Sequence, residues 1–381
     1  VISSPHRPTY VEVDLGVVRA NVAALALYAR QSAPASMHIG AVVKADAYGH
    51  GANEVAPAAL QAGAEVFFVA TLDEALSLRA TLADHPIVML SEPEPQFLVD
   101  ALRAGITPTI SAVPTLATLC DTMTSMSWSD RRSLWPSCHL EVETGLHRMG
   151  SDRGTLTTLA KMAAAGGVTV RGVYSHFARA DEGDRGSESV AEQVLRLQEA
   201  YDGVVESLGY RPLLHIANTA GLVHYPHTAF DLVRLGIGMY GYGEPSLSLR
   251  PALRLVSRVV RLHELDESSG VSYGHRRVFP AGTQIATIPI GYADGVRRSL
   301  FEVGGQVLIR GRRHVLAGTV AMDYVMVVVD DPEVVVGDEV VLIGAQGDEL
   351  LGADEVAARL STISYEVLTS ISDRVPRRYR G

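Results

Sequence analysis

Cysteine is nearly absent from this chain of 381 residues, with only Cys120 and Cys138 present. Two thiols without paired spacing exclude a disulfide framework and a cysteine-rich metal site, and no metal is expected. A reducing, cytoplasmic compartment is the simplest expectation. Basic charge is in deficit: 33 Lys and Arg stand against 43 Asp and Glu, a formal charge of -10. That argues against a nucleic-acid partner while leaving room for a local basic pocket. Long hydrophobic runs are missing too. No apolar stretch is long enough to span a bilayer, so no membrane partner is expected. Residues 1–10, with Pro5, His6, Arg7 and Pro8, lack the apolar core of a signal peptide. Proline-rich and low-complexity linkers are also lacking, so any domains are expected to pack together. What is present is an ordinary globular composition, 47% hydrophobic and 20% charged, long enough for a full barrel and a second domain.

Two patterns divide the chain. Through about residue 240, short apolar or β-branched runs alternate with helical patterns. The runs are residues 39–43, 66–70, 87–90, 107–110, 139–142, 168–174, 213–217 and 230–235. Between them, Val190, Val194, Leu197, Tyr201, Val204, Val205 and Leu208 recur at helical spacing over residues 189–208. Strand–helix alternation predicts a parallel sheet, and eight such units fit a (β/α)8 TIM-like barrel better than an open sheet. After about Tyr242, strand-like runs separated by glycine turns predict a mostly-β domain, with a short helix near residues 353–360. The expected fold class is α/β: an N-terminal barrel over 13–245 and a β-rich domain over 246–381. Residues 1–12 are expected to form a strand packing with the latter.

The run Ala41-Val42-Val43-Lys44 ends in a lysine followed by Ala45-Asp46-Ala47-Tyr48-Gly49-His50-Gly51. Burying a lysine is costly unless its charge is paired or neutralised. A covalent imine with an aldehyde cofactor is one way to neutralise it, and it also makes the amine useful. Arg148, His176, Asn218, Thr219 and Arg234 follow or end other candidate strands. In a barrel those carboxyl ends form one face, so these side chains converge on one mouth. Each alone could be a satisfied core residue or a pair to a neighbouring helix; their joint placement weakens that reading. Such barrels often hold phosphate after strands seven and eight. Thr219 offers a hydroxyl, and Gly236-Ile237-Gly238 offers backbone N–H groups that glycine leaves accessible. A phosphate facing a strand-end lysine points to pyridoxal phosphate.

At these residues the chain resembles the alanine racemase family. The matching segments span nearly its whole length. They include residues 43–51, Thr144-Gly145-Leu146-His147-Arg148-Met149-Gly150, Ser175-His176-Phe177-Ala178 and residues 230–237. They continue with Val271-Ser272-Tyr273-Gly274-His275, residues 289–295, Met322-Asp323 and Ile363-Ser364-Tyr365-Glu366-Val367. The resemblance implies pyridoxal 5'-phosphate held as a Schiff base on Lys44, which is also one catalytic base. It implies that Tyr273 is the opposing base, supplied across a head-to-tail homodimer with shared active sites. Tyr48, Asn218, Thr219, Gly236, Ile237 and Tyr365 would surround the phosphate. Arg234 would face the pyridine nitrogen, and Arg148 the ring oxygen and the substrate. His176 would link Arg234 to Tyr273. Met322, Asp323 and Tyr292 would meet the small amino-acid substrate or line its entrance. An arginine at the ring nitrogen stays protonated and cannot readily give a proton, which keeps the electron sink weak.

Four positions depart from the family pattern. Many members carry a carbamylated lysine where this chain has Glu141, so a carboxylate is expected to hold Arg148 and no lysine carbamate is expected. Thr219 replaces the usual serine. Ala321 and Tyr324 replace a common cysteine and glutamine around Met322-Asp323 and leave the substrate less defined than the reaction. The leading expectation is racemisation of alanine, in D-alanine and cell-wall supply. Alternatives are a racemase for serine or another small amino acid, another enzyme on a similar barrel, and a non-catalytic pyridoxal-phosphate carrier or drug-binding protein.

Overall fold

Near-continuous apolar strands need cover on both faces, and a parallel sheet obtains it by closing under its own helices. The computed structural model describes residues 6–32, 37–127, 129, 130, 134 and 136–381. Residues 1–5 of the expected N-terminal strand lie outside the described residues. The chain divides into two compact units. One comprises the described residues within Val18–Ala47 and Ala52–Leu249; the other comprises residues 6–17, Tyr48–Gly51 and Arg250–Gly381.

In the second unit, β1 (Tyr10–Asp14) is an interior strand of a sheet, next to its edge. The barrel strands then follow in chain order: β2 (His38–Val42), β3 (Val66–Val69), β4 (Ile87–Met89), β5 (Ile106–Thr107), β6 (Thr109–Ile110), β7 (Ser137–Glu141), β8 (Thr169–Tyr174), β9 (Leu213–His215) and β10 (Leu232–Leu235). They pair in parallel in the order β10-β2-β3-β4-β5 and β6-β7-β8-β9. The last strand therefore lies beside the first, and an Asn218–Arg234 bridge links the two arcs. The single run expected over 107–110 is two short strands broken at Pro108, which has no N–H to give a ladder. The long helix Ser187–Leu208 buries Val190, Leu197, Ala200, Tyr201 and Val204 and ends at Gly209 with φ 74°.

The second unit continues with β11 (Leu253–Arg258), β12 (Arg261–Glu264), β13 (Ser269–Gly270), β14 (Val278–Phe279), β15 (Gln284–Ile288), β16 (Gln306–Ile309), β17 (Arg312–Val315), β18 (Val325–Val329), β19 (Glu339–Gln346), β20 (Glu349–Leu351) and β21 (Arg377–Arg380). Its larger sheet runs β17-β16-β19-β11-β1-β21, and its smaller one runs β12-β15-β18. The strand expected over 259–263 is interrupted. Val259 bonds to Asp338 and Gly337, whereas Val260 bonds to Thr287, so the chain changes sheets between two adjacent valines. A helix occupies Ala353–Arg359.

Candidate active site

Lys44 follows β2 and opens an unusual turn. Ala45, Asp46, Ala47 and Tyr48 have φ between 50° and 55°, and Gly49 has φ 82°. Four consecutive non-glycine residues in left-handed conformation are costly and persist only where surrounding bonds over-determine them. Glu74 supplies one of those bonds and is itself fixed by others. It sits at the third position of the helix Leu72–Arg79 and closes a capping box with Thr71. Its carboxylate also accepts from the Ala45 N–H at 2.8 Å and the Ala70 N–H at 2.7 Å. The Asp46 carboxylate accepts from Ala52 N at 2.8 Å. Burial lowers the Lys44 pKa from its ordinary value, with Arg148 and Arg234 adding to the effect and Glu74 opposing it. Among the described residues Lys44 makes no ion pair with a carboxylate.

Arg234, on β10, is 2% exposed. Its guanidinium donates to His215 Nδ1 at 2.6 Å, Ser175 O at 2.8 Å, Ile216 O at 3.0 Å and His176 Nδ1 at 3.1 Å. A guanidinium has no acceptor, so both Nδ1 atoms must present lone pairs. His215 then carries its proton on Nε2, which donates to His139 Nδ1 at 3.2 Å. The result is a column of neutral imidazoles pointing away from a fixed positive charge. Burial and the Arg234 charge hold His176 and His215 well below the usual histidine value and push His139 down to about 3. Tyr174 stacks on His215, with ring centres 5.0 Å apart and planes 7° apart. Its hydroxyl lies 3.0 Å from Thr109 Oγ1, and its one proton has Leu90 O at 3.1 Å and Glu141 Oε2 at 3.3 Å as acceptors.

Glu141, at the end of β7, also accepts from Arg148 Nη2 at 3.3 Å. Burial raises the Glu141 pKa, while Arg148, Arg234 and the Tyr174 hydroxyl pull it down. The carboxylate thus holds Arg148 directly, as expected from its replacement of a lysine. After β9 and β10, Gly236 N donates to Thr219 Oγ1 at 3.1 Å. Asn218 Oδ1 accepts from Gly221 N at 2.8 Å. A Cβ on Gly238 would sit 2.6 Å from Thr219 Cγ2, so the Thr219 side chain and the Gly236–Gly238 backbone form one close-packed cradle beside Ile237.

Lys44, Arg148, His176, Asn218, Thr219, Arg234, Gly236 and Ile237 therefore belong to the barrel unit, while Tyr48, Tyr273, Tyr292, Met322, Asp323 and Tyr365 belong to the β-rich unit. There Tyr48 and Tyr365 meet at a ring separation of 5.7 Å. Tyr273, Tyr292 and Met322 are exposed. A cavity of about 600 Å³ beside Tyr273 is lined by Ser272, His275, Thr287, Ala321, Tyr324 and Met326. Tyr292 N and Ala293 N donate to Ala321 O and Met322 O, which ties the two turns together. The Asp323 carboxylate accepts from Arg374 at 2.6 Å. Arg374 also lies 3.5 Å from buried Asp294, which forms an ion pair with Arg7.

Sequence reasoning missed His139, His215 and Tyr174. A period-two reading finds one of them: His139 and Glu141 are two apart on β7 and face the same way.

Both units match known families. Residues 13–244 match the model described as alanine racemase, N-terminal domain, and residues 252–379 match its C-terminal domain. An alanine racemase of Symbiobacterium thermophilum is 40% identical over 388 residues, covering 98% of each chain. The crystal structure of alanine racemase from Bacillus anthracis with bound L-Ala-P superposes with a TM-score of 0.89 at 34% identity, over 100% of this chain and 96% of that one. The histidine racemase of Leuconostoc mesenteroides superposes with a TM-score of 0.85 at 30% identity, over 99% of both chains.

Proposed function

The chain belongs to the alanine racemase family across both of its units, and from that premise we propose that it interconverts L- and D-alanine by a two-base mechanism that depends on pyridoxal 5'-phosphate. The observation that carries the reading is Lys44: a partly buried amine at a barrel strand end, deprived of a carboxylate partner among the described residues and lying in the field of Arg148 and Arg234.

The residues fit that cofactor. An amine whose pKa is lowered by burial and positive neighbours gives up its proton more readily, which favours imine formation. The Thr219–Gly238 cradle supplies a hydroxyl and backbone N–H groups suited to a phosphate, with Asn218 and Ile237 as further holders. Arg234 would face the ring nitrogen and Arg148 the ring oxygen. When bound, the cofactor delocalises the electron pair left by loss of the substrate α-proton. Arg234 limits that delocalisation. Its neutral acceptors leave its charge in place, and it cannot release a proton to the ring.

Inversion needs a proton taken from one face and a proton given to the other. Lys44 Nζ takes or returns the α-proton on one face. The Tyr273 hydroxyl of a second copy does so on the opposite face, and the reverse reaction exchanges their roles. His176 would carry the influence of Arg234 toward that hydroxyl. Met322 and Asp323 would bound the substrate carboxylate, and Tyr292 the entrance. The 600 Å³ cavity beside Ala321, together with the likeness to a histidine racemase, favours one second reading: a side chain larger than methyl.

Purified protein should show the visible absorbance of a lysine-bound imine and racemise alanine. Lys44→Ala should lose both. Racemisation followed across alanine, serine and histidine ranks the substrates. Absorbance without turnover on any of them would leave a carrier instead of an enzyme.

A further inference from the structure

Tyr273 occupies the tip of the smallest hairpin in the molecule's β-rich unit. Its strands, β13 and β14, contribute only the pairs Ser269–Phe279 and Gly270–Val278. So short a ladder cannot by itself fix a side chain at its tip. The tip is also strained: Ser272 has φ 65° and His275 has φ 44°, both in the left-handed region that residues with a Cβ avoid. Something outside the hairpin must hold it.

The segment between β17 and β18 does so. Ser272 Oγ donates to Thr319 O at 2.6 Å, and Thr319 Oγ1 donates back to Tyr273 O at 3.0 Å. Thr319 is 2% exposed, so this reciprocal pair is shielded from water. Gly318 permits the approach, since a Cβ there would lie 2.2 Å from Val271 O and 2.8 Å from Ser272 Cβ. Val271 and Ala317 bury together with Ile285 beneath the pair. Two residues beyond Thr319 begin Ala321 and Met322, which the Tyr292 turn grips through its backbone.

We infer that Thr319 is a positioning residue: with Ser272 it forms a hydroxyl clamp that locks the Tyr273 turn onto the loop carrying Ala321-Met322-Asp323, so that the opposing base and the substrate-facing loop move as one body. The inference rests on Tyr273 acting as a base, as proposed above. The clamp touches neither substrate nor cofactor and acts only through the carbonyl that precedes the Gly274 amide.

Thr319→Val keeps the shape and removes the donor; Thr319→Ser keeps the donor. In the cofactor-free protein, amide hydrogen exchange over residues 271–277 should quicken in Thr319→Val and remain near the parent rate in Thr319→Ser. In the loaded enzyme, Thr319→Val should lose about tenfold in kcat/KM, as expected for one lost buried hydrogen bond to the machinery. The primary isotope effect with α-deuterated alanine should rise for one enantiomer only, because only the face served by Tyr273 is slowed. Thr319→Ser should restore both. An equal rise of the isotope effect for both enantiomers, or parent-like exchange and rate in Thr319→Val, overturns the clamp. Tyr273→Phe separates the two claims: if it is inactive while Thr319→Val behaves like the parent, only the clamp fails. If Tyr273→Phe racemises normally, the base assignment fails and the clamp falls with it.

Discussion

At the scale of the residue, Glu141 shows how one substitution alters a chemical dependence. A carboxylate built into the chain accepts from Arg148 and from Tyr174 without any modification. Burial raises its pKa, and the two arginines and the tyrosine hydroxyl that face it oppose that rise. Racemisation should therefore be indifferent to added bicarbonate. Glu141→Lys should lose at least about tenfold in activity, the order expected for leaving Arg148 without its charged partner, and should recover part of it when bicarbonate is supplied. A bicarbonate-dependent parent enzyme would contradict this account. The same scale shows why some site residues are legible in the sequence and others are not. Lys44, Arg148, His176, Asn218 and Arg234 can be found because strand ends of a barrel share a mouth, so position along the chain translates into position in space. His215 and His139 read as core histidines until the arginine they serve is in place. Thr319 gives no signal, since its role depends on contact with a loop 46 residues away.

At the scale of the element, alternation and apolar runs suffice to place all eight barrel strands, because burial on both faces imposes a composition that turns and helices do not share. The departures are local and have backbone causes. Pro108 divides a strand by removing a donor. Val259 and Val260 divide another by joining different sheets, a choice that depends on partners far along the chain. The left-handed run from Ala45 to Tyr48 is also illegible, since alanine has no preference for that conformation and the cause lies in Glu74 and Asp46. The buried histidine column adds a consequence for stability. In the folded chain His139 titrates at about 3, and His176 and His215 lie well below their ordinary value. In the unfolded chain all three bind protons near the ordinary histidine value of about 6.5. Below that pH the unfolded state binds more protons, so stability falls as pH drops, by up to about 1.4 kcal/mol per pH unit for each histidine. The thermal midpoint of the cofactor-free protein should decline steadily once the pH passes below 6.5, in the range where exposed carboxylates are still ionised. A midpoint that stays level to about pH 5 would show that the column is not neutral in the fold.

At the scale of the whole molecule, the proposed bases divide between the two units, Lys44 in the barrel and Tyr273 in the β-rich unit. If each site pairs the lysine of one copy with the tyrosine of another, two inactive variants complement each other. Lys44→Ala and Tyr273→Phe, mixed and allowed to exchange subunits, should regain about a quarter of parental activity. Half of the dimers are then mixed, and one of the two sites in each is intact. Recovery of nothing would place both bases in one subunit.

The strand β1 has a further consequence. Its neighbours are β11 on one side and β21 on the other, so residues 10–14 ladder beside residues 377–380. In chain order β1 comes first among the strands of that sheet and its neighbour β21 comes last. Throughout synthesis of the intervening chain, β1 must wait with an open hydrogen-bonding edge, the kind of surface that recruits stray strands. Most barrel strands pair with the strand made just before them, and only β2 waits on one edge, for β10. The order of translation therefore separates the two units in time: the barrel unit can close once β10 is made, and the unit carrying Tyr273 is sealed only when β21 is added.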